Sequence, residues 1–544
     1  MRCLAGLLFV ALLGLSSAGF RFHESQWRRM NADVHLLPNY DALPYENKTF
    51  TQPIDHNNAA LGTWEQHFQV MKEYLNKKAD SNLVFLMIGG EGPASTSWIS
   101  NPHLQYIQWA KEYGALCFQV EHRFFGKSRP YNNMTTESLK YLTTQQALAD
   151  LANFIKSVNN DTSYGLKEPR WITFGGSYPG SLAAWFRSKY PELTVGSVAS
   201  SAPLNLKLDF YEYTMVMQNT IQNVSQECYD VVNKTFIALQ KSTLTTSGRN
   251  TLNDFFKKPP LSMSPLFADA NVTMLQLTNF LGNIYDVFQG VIQYTYDGRN
   301  NVTVGGLNVS AMCDIMTSNK PKNDNNYIQG VVNVLKWNSD LGVNLGGGEP
   351  QTIVNDYEAS IKPTKSVHYD DPNGDADGRG WMWLCCNELG FMQTTSQGYN
   401  IFQDIVPLGF YFQQCVDLFG KDINATYVRD NNRKAQKYYG GVDSFNATNL
   451  VLPNGSLDPW HALGFYKADK KNNLQPYLIG GTAHCSDMYP VYDGEPSALK
   501  DARKFVHDQL EIYTKIPKKK TGLASSATLS AAVIAIALLV ERLL

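Results

Sequence analysis

Trp171-Ile172-Thr173-Phe174-Gly175-Gly176-Ser177-Tyr178-Pro179-Gly180 decides the fold of this chain. An apolar, β-prone run ends in two glycines and a serine, and Ser181-Leu182-Ala183-Ala184-Trp185-Phe186-Arg187 follows at once as a helix-like segment. The reading is strand, sharp turn, helix, with Ser177 at the apex. Such an elbow needs glycines for its tight backbone and lifts a serine hydroxyl above a sheet. The helix N-terminus behind it favours developing negative charge. Pro179 stands where the usual elbow carries its second glycine. A plainer reading of the same residues is a glycine-rich turn whose serine caps the following helix.

Upstream, Leu83-Val84-Phe85-Leu86-Met87-Ile88 and Ala115-Leu116-Cys117-Phe118-Gln119-Val120 are continuous apolar runs. Runs of this kind are strands buried on both faces. The first ends in Gly89-Gly90-Glu91-Gly92-Pro93, which is either an ordinary turn or a loop that aims a backbone N–H at a reaction centre. Thr143-Thr144-Gln145-Gln146 predicts a capping box opening a helix with Leu148, Leu151, Ile155 and Val158 on one face. Val195 to Ala199 is a further strand, and strands alternating with helices predict a parallel α/β sheet. Before this, Pro53-Ile54-Asp55-His56 and Thr63 to Val70 predict β-structure.

From about 205 to 400 the alternation stops, and helical patterns such as Met215 to Val224 mix with Asn/Gly turns. This predicts an inserted, mainly helical lobe. Within it Asn373-Gly374-Asp375-Ala376-Asp377-Gly378 looks like a calcium loop, but Leu384 stands where its closing glutamate belongs, so a polar surface turn is expected. Alternation resumes with strands at Asn449 to Leu452 and Pro476 to Ile479 and a closing amphipathic helix from Ala498 to Tyr513.

Each late strand runs into a polar cluster: Pro453-Asn454-Gly455-Ser456-Leu457-Asp458-Pro459-Trp460 and Gly480-Gly481-Thr482-Ala483-His484-Cys485-Ser486-Asp487. An open parallel sheet gathers its functional groups beyond such strand ends. Ser177, Asp458 and His484 follow one another in the chain order of an α/β-hydrolase triad, which makes them the candidate nucleophile, acid and base. Taken singly, Asp458 is a turn cap before Pro459 and His484 a surface loop residue. Trp460 is a wall for an apolar substrate pocket or plain core packing.

Four motifs then carry a family resemblance. Gly175 to Gly180, Glu121-His122-Arg123-Phe124-Phe125-Gly126, Tyr141-Leu142-Thr143-Thr144-Gln145-Gln146-Ala147-Leu148-Ala149-Asp150 and Asn454 to Trp460 resemble the serine carboxypeptidase S28 family across roughly residues 45 to 515. The resemblance implies an α/β-hydrolase fold with an inserted helical cap: core over 45–204, cap over 205–400, core again over 401–515. It implies peptidase activity, often next to proline, with Ser177 as nucleophile, Asp458 as acid and His484 as base. The Tyr178 N–H and an N–H at Gly90 are the expected oxyanion donors, and Trp460 and Glu91 the residues expected at the substrate. Cys386-Asn387-Glu388 matches a family motif that implies a Cys386–Cys415 disulfide, with Cys228–Cys313 the second pairing. Cys485 and Ser486 after the histidine are similar to the thymus-specific branch rather than the proline-directed enzymes. The chemistry needs no metal or organic cofactor. An esterase or lipase on the same triad, and a tethered adhesion or receptor protein on an inactive hydrolase scaffold, are the other classes these residues admit.

The chain of 544 residues carries a formal net charge of -2, so no basic excess points to nucleic acid. Peptides are the expected partners, and the residues leave the oligomeric state open, a homodimer included. Arg2, the apolar run Leu4 to Leu15 and Ser16-Ser17-Ala18 predict a secretory signal over 1–18. The expected destination is the secretory pathway: extracellular, cell-surface or lysosomal. Sequons at Asn47, Asn133, Asn160, Asn223, Asn233, Asn271, Asn301, Asn308, Asn424 and Asn446 agree, while the one at Asn454 falls inside the acid motif and is expected to stay bare. Removing Cys3 with the signal leaves an odd number of cysteines, hence at least one free or intermolecular thiol. Over 516–544, Lys518-Lys519-Lys520 precedes an uncharged stretch from Thr521 to Val540. A membrane tether is expected there, as a glycolipid-anchor signal or a transmembrane helix; lumenal lysines run against the usual charge bias and favour the lipid anchor.

Overall fold

The computed structural model describes residues 40–257, 272–296, 308–318, 320–342 and 354–515. The expected signal, the C-terminal anchor segment and the sequons Asn271 and Asn301 lie outside the described residues. The strands are β1 (Glu46–Pro53), β2 (Thr63–Met71), β3 (Leu83–Ile88), β4 (Leu116–Val120), β5 (Arg170–Gly176), β6 (Gly196–Ser200), β7 (Leu450–Gly455) and β8 (Leu474–Ile479). They form one 8-stranded sheet in the order β1-β2-β4-β3-β5-β6-β7-β8. β2 runs antiparallel to both β1 and β4, and every other pairing is parallel. This is the α/β-hydrolase fold.

The helices that matter below are α1 (Gln105–Tyr113), α2 (Thr144–Asn160), α3 (Tyr178–Lys189), α4 (Glu212–Val224), α5 (Met274–Gln293), α6 (Ala376–Leu384), α7 (Ala425–Tyr439) and α8 (Ser497–Thr514). Strand β3 shows why its sequence is apolar throughout. Val84, Leu86 and Ile88 face one core with Leu148, Leu151 and Ile155 of α2 and Leu182 and Trp185 of α3. Phe85 and Met87 face the opposite core with Ile107 and Trp109 of α1 and Val506 and Leu510 of α8. A strand with helices on both sides has no face left for polar side chains.

Two local expectations give way to tertiary contacts. The first strand is Glu46–Pro53 rather than Pro53 to His56, because the Asp55 carboxylate takes the Asn57 N–H at 2.9 Å and turns the chain. At the start of α2 only half of a capping box forms. Thr143 Oγ1 accepts the Gln146 N–H at 3.2 Å, but the Gln146 amide goes to Asp55 at 2.6 Å and to the His56 N–H at 3.0 Å.

Arg123 locks these parts together. Its guanidinium is fully buried and holds Asp150 of α2 through Nε at 2.7 Å and Nη2 at 2.6 Å. Nη1 donates to the carbonyls of Ile54 at 3.0 Å and Tyr141 at 2.9 Å. Burial pushes the Asp150 carboxyl up, but Arg123 and His56 outweigh it and hold the group below its ordinary range.

Between β6 and β7 the described elements are helices, joined by an isolated bridge between Asp209 and Met392. Two disulfides tie this region. Cys228–Cys313 links the helix Gln226–Thr243 to Val309–Thr317, and Cys386–Cys415 links the turn Cys385–Leu389 to the helix Leu408–Phe419. Cys117, Cys385 and Cys485 are free and buried. Helix α7 returns the chain to the sheet layer, stacking Tyr439 on Trp185 of α3 with centroids 4.1 Å apart. The calcium-like run opens in the expected exposed turn at Asn373, and its second half caps a helix: Asp375 is buried and starts α6, accepting the Gly378 N–H at 2.8 Å. Among the described residues no helix is long and apolar enough to cross a membrane.

Candidate active site

β5 ends at Gly176, and Ser177 adopts φ +62° and ψ −132° before α3 begins at Tyr178. A non-glycine residue at positive φ is strained, and such strain is held only where the surroundings dictate it. Here the two glycines that precede it permit the tight path. A Cβ on Gly175 would stand 2.2 Å from the Pro179 carbonyl oxygen, and one on Gly176 2.3 Å from Met488 Sδ. Pro179 is tolerated because the first turn of a helix leaves its N–H groups unpartnered anyway. Ser177 donates its N–H to the Ser200 carbonyl at 2.9 Å, and its side chain makes no capping bond to α3. The hydroxyl is half-buried at the apex rather than committed to the helix.

Asp458 lies just past β7 and His484 just past β8. His484 Nδ1 is 2.8 Å from Asp458 Oδ2, and both side chains are fully buried. The second carboxylate oxygen accepts the Trp460 N–H at 3.0 Å, so the carboxylate cannot rotate away. Burial pushes the imidazole down, but the Asp458 carboxylate, with Cys485, outweighs it and holds His484 well above the ordinary histidine range. Nε2, the other ring nitrogen, is buried and, among the described residues, makes no hydrogen bond to the Ser177 hydroxyl.

The histidine loop is nevertheless fastened to the elbow. Cys485 donates its N–H to Ser201 Oγ at 2.9 Å, one residue beyond the carbonyl that holds Ser177. Cys485 Sγ and Met488 Sδ pack on Gly176. The Ser200 hydroxyl donates to Asp487 at 2.5 Å.

Tyr178, the first residue of α3, is buried, and its hydroxyl bonds to His122 Nε2 at 3.0 Å. His122 Nδ1–H donates to the Arg123 carbonyl at 2.8 Å, which leaves Nε2 as the acceptor. Burial depresses the His122 pKa to about 4, so the ring stays neutral. Gly90 packs directly on the elbow: a Cβ there would lie 2.5 Å from Pro179 Cγ. Glu91 is buried, and burial pushes its carboxyl up to about 7.

Aromatic rings link Tyr178 to His484 around one side. The centroids run Tyr178 to Trp381 at 5.8 Å, Trp381 to Phe391 at 6.5 Å, Phe391 to Trp460 at 5.4 Å and Trp460 to His484 at 6.5 Å. Trp460 also packs against Phe210 and against Tyr213 of α4. Sequence reasoning singled out Trp460 but missed Trp381 and Phe391, whose neighbours in the chain give no hint of the site. The sequon residue Asn454 is fully buried in β7, so a glycan has no room there in the folded chain. Among the described residues no group of three or more His, Cys, Asp or Glu suits a metal ion.

Glu388 stands behind Tyr178 and accepts the Thr144 N–H at 3.0 Å. Burial outweighs that bond and lifts its carboxyl from an ordinary 4.5 to about 7. A carboxyl raised on folding supports the fold below its ordinary pKa, and that support drains away as pH rises through the folded value. Glu388→Gln is therefore expected to match wild type near pH 4.5 and to be more stable by about 3 kcal/mol at pH 8. Urea unfolding across that range checks this; a difference independent of pH contradicts it.

The Serine carboxypeptidase S28 family model matches residues 52–506. A Caenorhabditis elegans protein named as a putative serine protease is 48% identical over 482 residues, covering 88% of this chain and 86% of that protein. The thymus-specific serine protease of Mus musculus is 28% identical over 536 residues, covering 94% and 97%. The lysosomal Pro-X carboxypeptidase of Pongo abelii is 25% identical over 491 residues, covering 87% and 90%. Matches of this extent show that the chain belongs to the serine carboxypeptidase S28 family, and so is a serine peptidase.

Proposed function

We propose that this peptidase trims peptides from a chain end through an acyl-enzyme formed on Ser177, with His484 as base and Asp458 as its acid partner. The observation that carries this reading is the buried Asp458–His484 hydrogen bond of 2.8 Å in a loop pinned to the elbow. His484 Nε2 takes the Ser177 proton as the hydroxyl oxygen bonds to the peptide carbonyl carbon. Nδ1–H stays on Asp458, which selects the tautomer and stabilises the imidazolium. The oxyanion falls between the Tyr178 N–H, at the positive end of α3, and the N–H at Gly90; losing one such donor costs about 3 kcal/mol. His484 returns its proton to the leaving amine, and water repeats the sequence to release the acid. An approach of Ser177 Oγ to Nε2 on substrate binding is usual where the free enzyme lacks that bond.

The linked rings of Trp381, Phe391 and Trp460, which end beside His484, are the wall we assign to the residue before the scissile bond. Flat apolar faces suit an apolar side chain or the ring of proline. Phe210 and Tyr213 bring the cap onto Trp460, which favours chain ends over internal bonds. Glu91, in the loop beside the elbow, is a candidate contact for the substrate. Incubating the purified ectodomain with free and end-blocked peptides at pH 5 and 7, with products weighed by mass spectrometry, tests the reading. Fluorophosphonate labelling at Ser177 together with loss of terminal residues supports it. Cleavage of esters alone converts the reading to an esterase, and an unlabelled folded chain removes the enzyme reading of this site.

A further inference from the structure

The buried residue most fully bonded around the acid–base pair is Gln293, the last residue of cap helix α5. Its main-chain carbonyl accepts the N–H of His484 at 3.0 Å. Its side-chain carbonyl accepts two bonds, from the Trp460 indole N–H at 2.9 Å and from the Tyr213 hydroxyl at 2.7 Å. Its amide donates to the Tyr294 hydroxyl at 2.9 Å, and the Tyr294 ring stands edge-on to His484 at 6.0 Å. Gln293 is 2% exposed, so these bonds form where water does not compete for them.

The connections have a direction. Trp460 is the residue whose own N–H holds Asp458 Oδ1. Gln293 therefore grips His484 through the backbone and the Asp458 loop through the indole. These loops follow different strands of the core, β7 and β8, and both reach into the same residue of the cap. The carbonyl end of a 20-residue helix also carries partial negative charge, which favours the imidazolium formed during reaction.

We propose that Gln293 is a positioning residue that sets the geometry of the Asp458–His484 pair, so that the cap completes the catalytic machinery as well as covering it. The proposal rests on the triad reading above. Gln293 touches no reacting atom in that reading, so its loss acts on turnover and not on substrate binding.

Gln293→Leu keeps the volume and removes the acceptor, leaving the Trp460 indole and the Tyr213 hydroxyl buried without a partner. The expected result is a fall in kcat of about 10- to 100-fold with KM within about twofold of wild type. The rate of fluorophosphonate labelling at Ser177 should fall by the same factor. Gln293→Glu, which keeps an acceptor oxygen at that position, should recover kcat to within about threefold. A purely structural residue would lower the folded fraction and leave kcat per labelled site unchanged in both variants, and that result overturns the proposal. Should Gln293→Leu not fold, Tyr213→Phe and Trp460→Phe each delete one donor; wild-type kcat in both is equally fatal. Ser177→Ala and His484→Ala run alongside. If they stay active, the triad reading has failed; if they are inactive while Gln293→Leu turns over normally, only the positioning role has failed.

Discussion

Ser177→Ala is expected to lower kcat by about 10⁶-fold, with thermal unfolding unchanged. The size follows from the mechanism, because without the hydroxyl no acyl-enzyme forms and only binding and the oxyanion donors are left. The unchanged stability follows from the structure. Ser177 holds the elbow through its backbone, and its side chain makes no bond to the helix it precedes. Alanine meets the same positive φ as serine, so the strain is not altered. Asp458→Asn separates orientation from chemistry. Asparagine can still accept the Trp460 N–H, but it replaces the anion facing His484 Nδ1 and favours the wrong tautomer. A loss of about 10⁴-fold is expected, with the histidine pKa falling from its raised position. Single-turnover acylation followed by mass, with circular dichroism as the folding check, reads both. A Ser177→Ala enzyme that retains a few per cent of wild-type kcat excludes Ser177 as the nucleophile.

Asp150→Ala is expected to be the most damaging single change for the fold. It leaves the Arg123 guanidinium, 0% exposed, with backbone carbonyls but no carboxylate. Removing one member of a buried pair costs about 3 to 5 kcal/mol, because the remaining charge stays desolvated and uncompensated. His56, on the same Asp150 oxygen, loses its partner too. Urea unfolding of the purified variant measures the effect. Replacing both members together, Arg123→Met with Asp150→Leu, should be much milder than Asp150→Ala, since no charge is then left buried. A single variant as stable as wild type would mean that water reaches Arg123.

The pair also explains why the motifs that carried the family resemblance are so far apart in the chain. Glu121 to Gly126 and Tyr141 to Asp150 supply Arg123 and Asp150, which bond to each other, and His122, which holds Tyr178 next to Ser177. Their motif character reflects long-range contact rather than local conformation.

What the residues determined unaided was whatever depends on short-range physics. Leu83–Ile88 reads as a strand buried on both faces because six consecutive apolar side chains fit nothing else so well. The elbow is legible because Gly175 and Gly176 mark a backbone path that a Cβ would block. The order of Ser177, Asp458 and His484 follows from where three strands end. Tertiary structure alone decided which distant groups meet. It broke the expected capping box by offering Gln146 two partners near residue 55. It turned a calcium-like run into a helix cap, and it drew Trp381 and Phe391 to the site. It also set Gln293 between the Asp458 and His484 loops, with Trp460 of the first 167 residues away in sequence. Periodicity and allowed backbone angles are written in neighbouring residues. A hydrogen bond across such a span depends on how crossovers stack whole layers, and no window of sequence contains both of its ends.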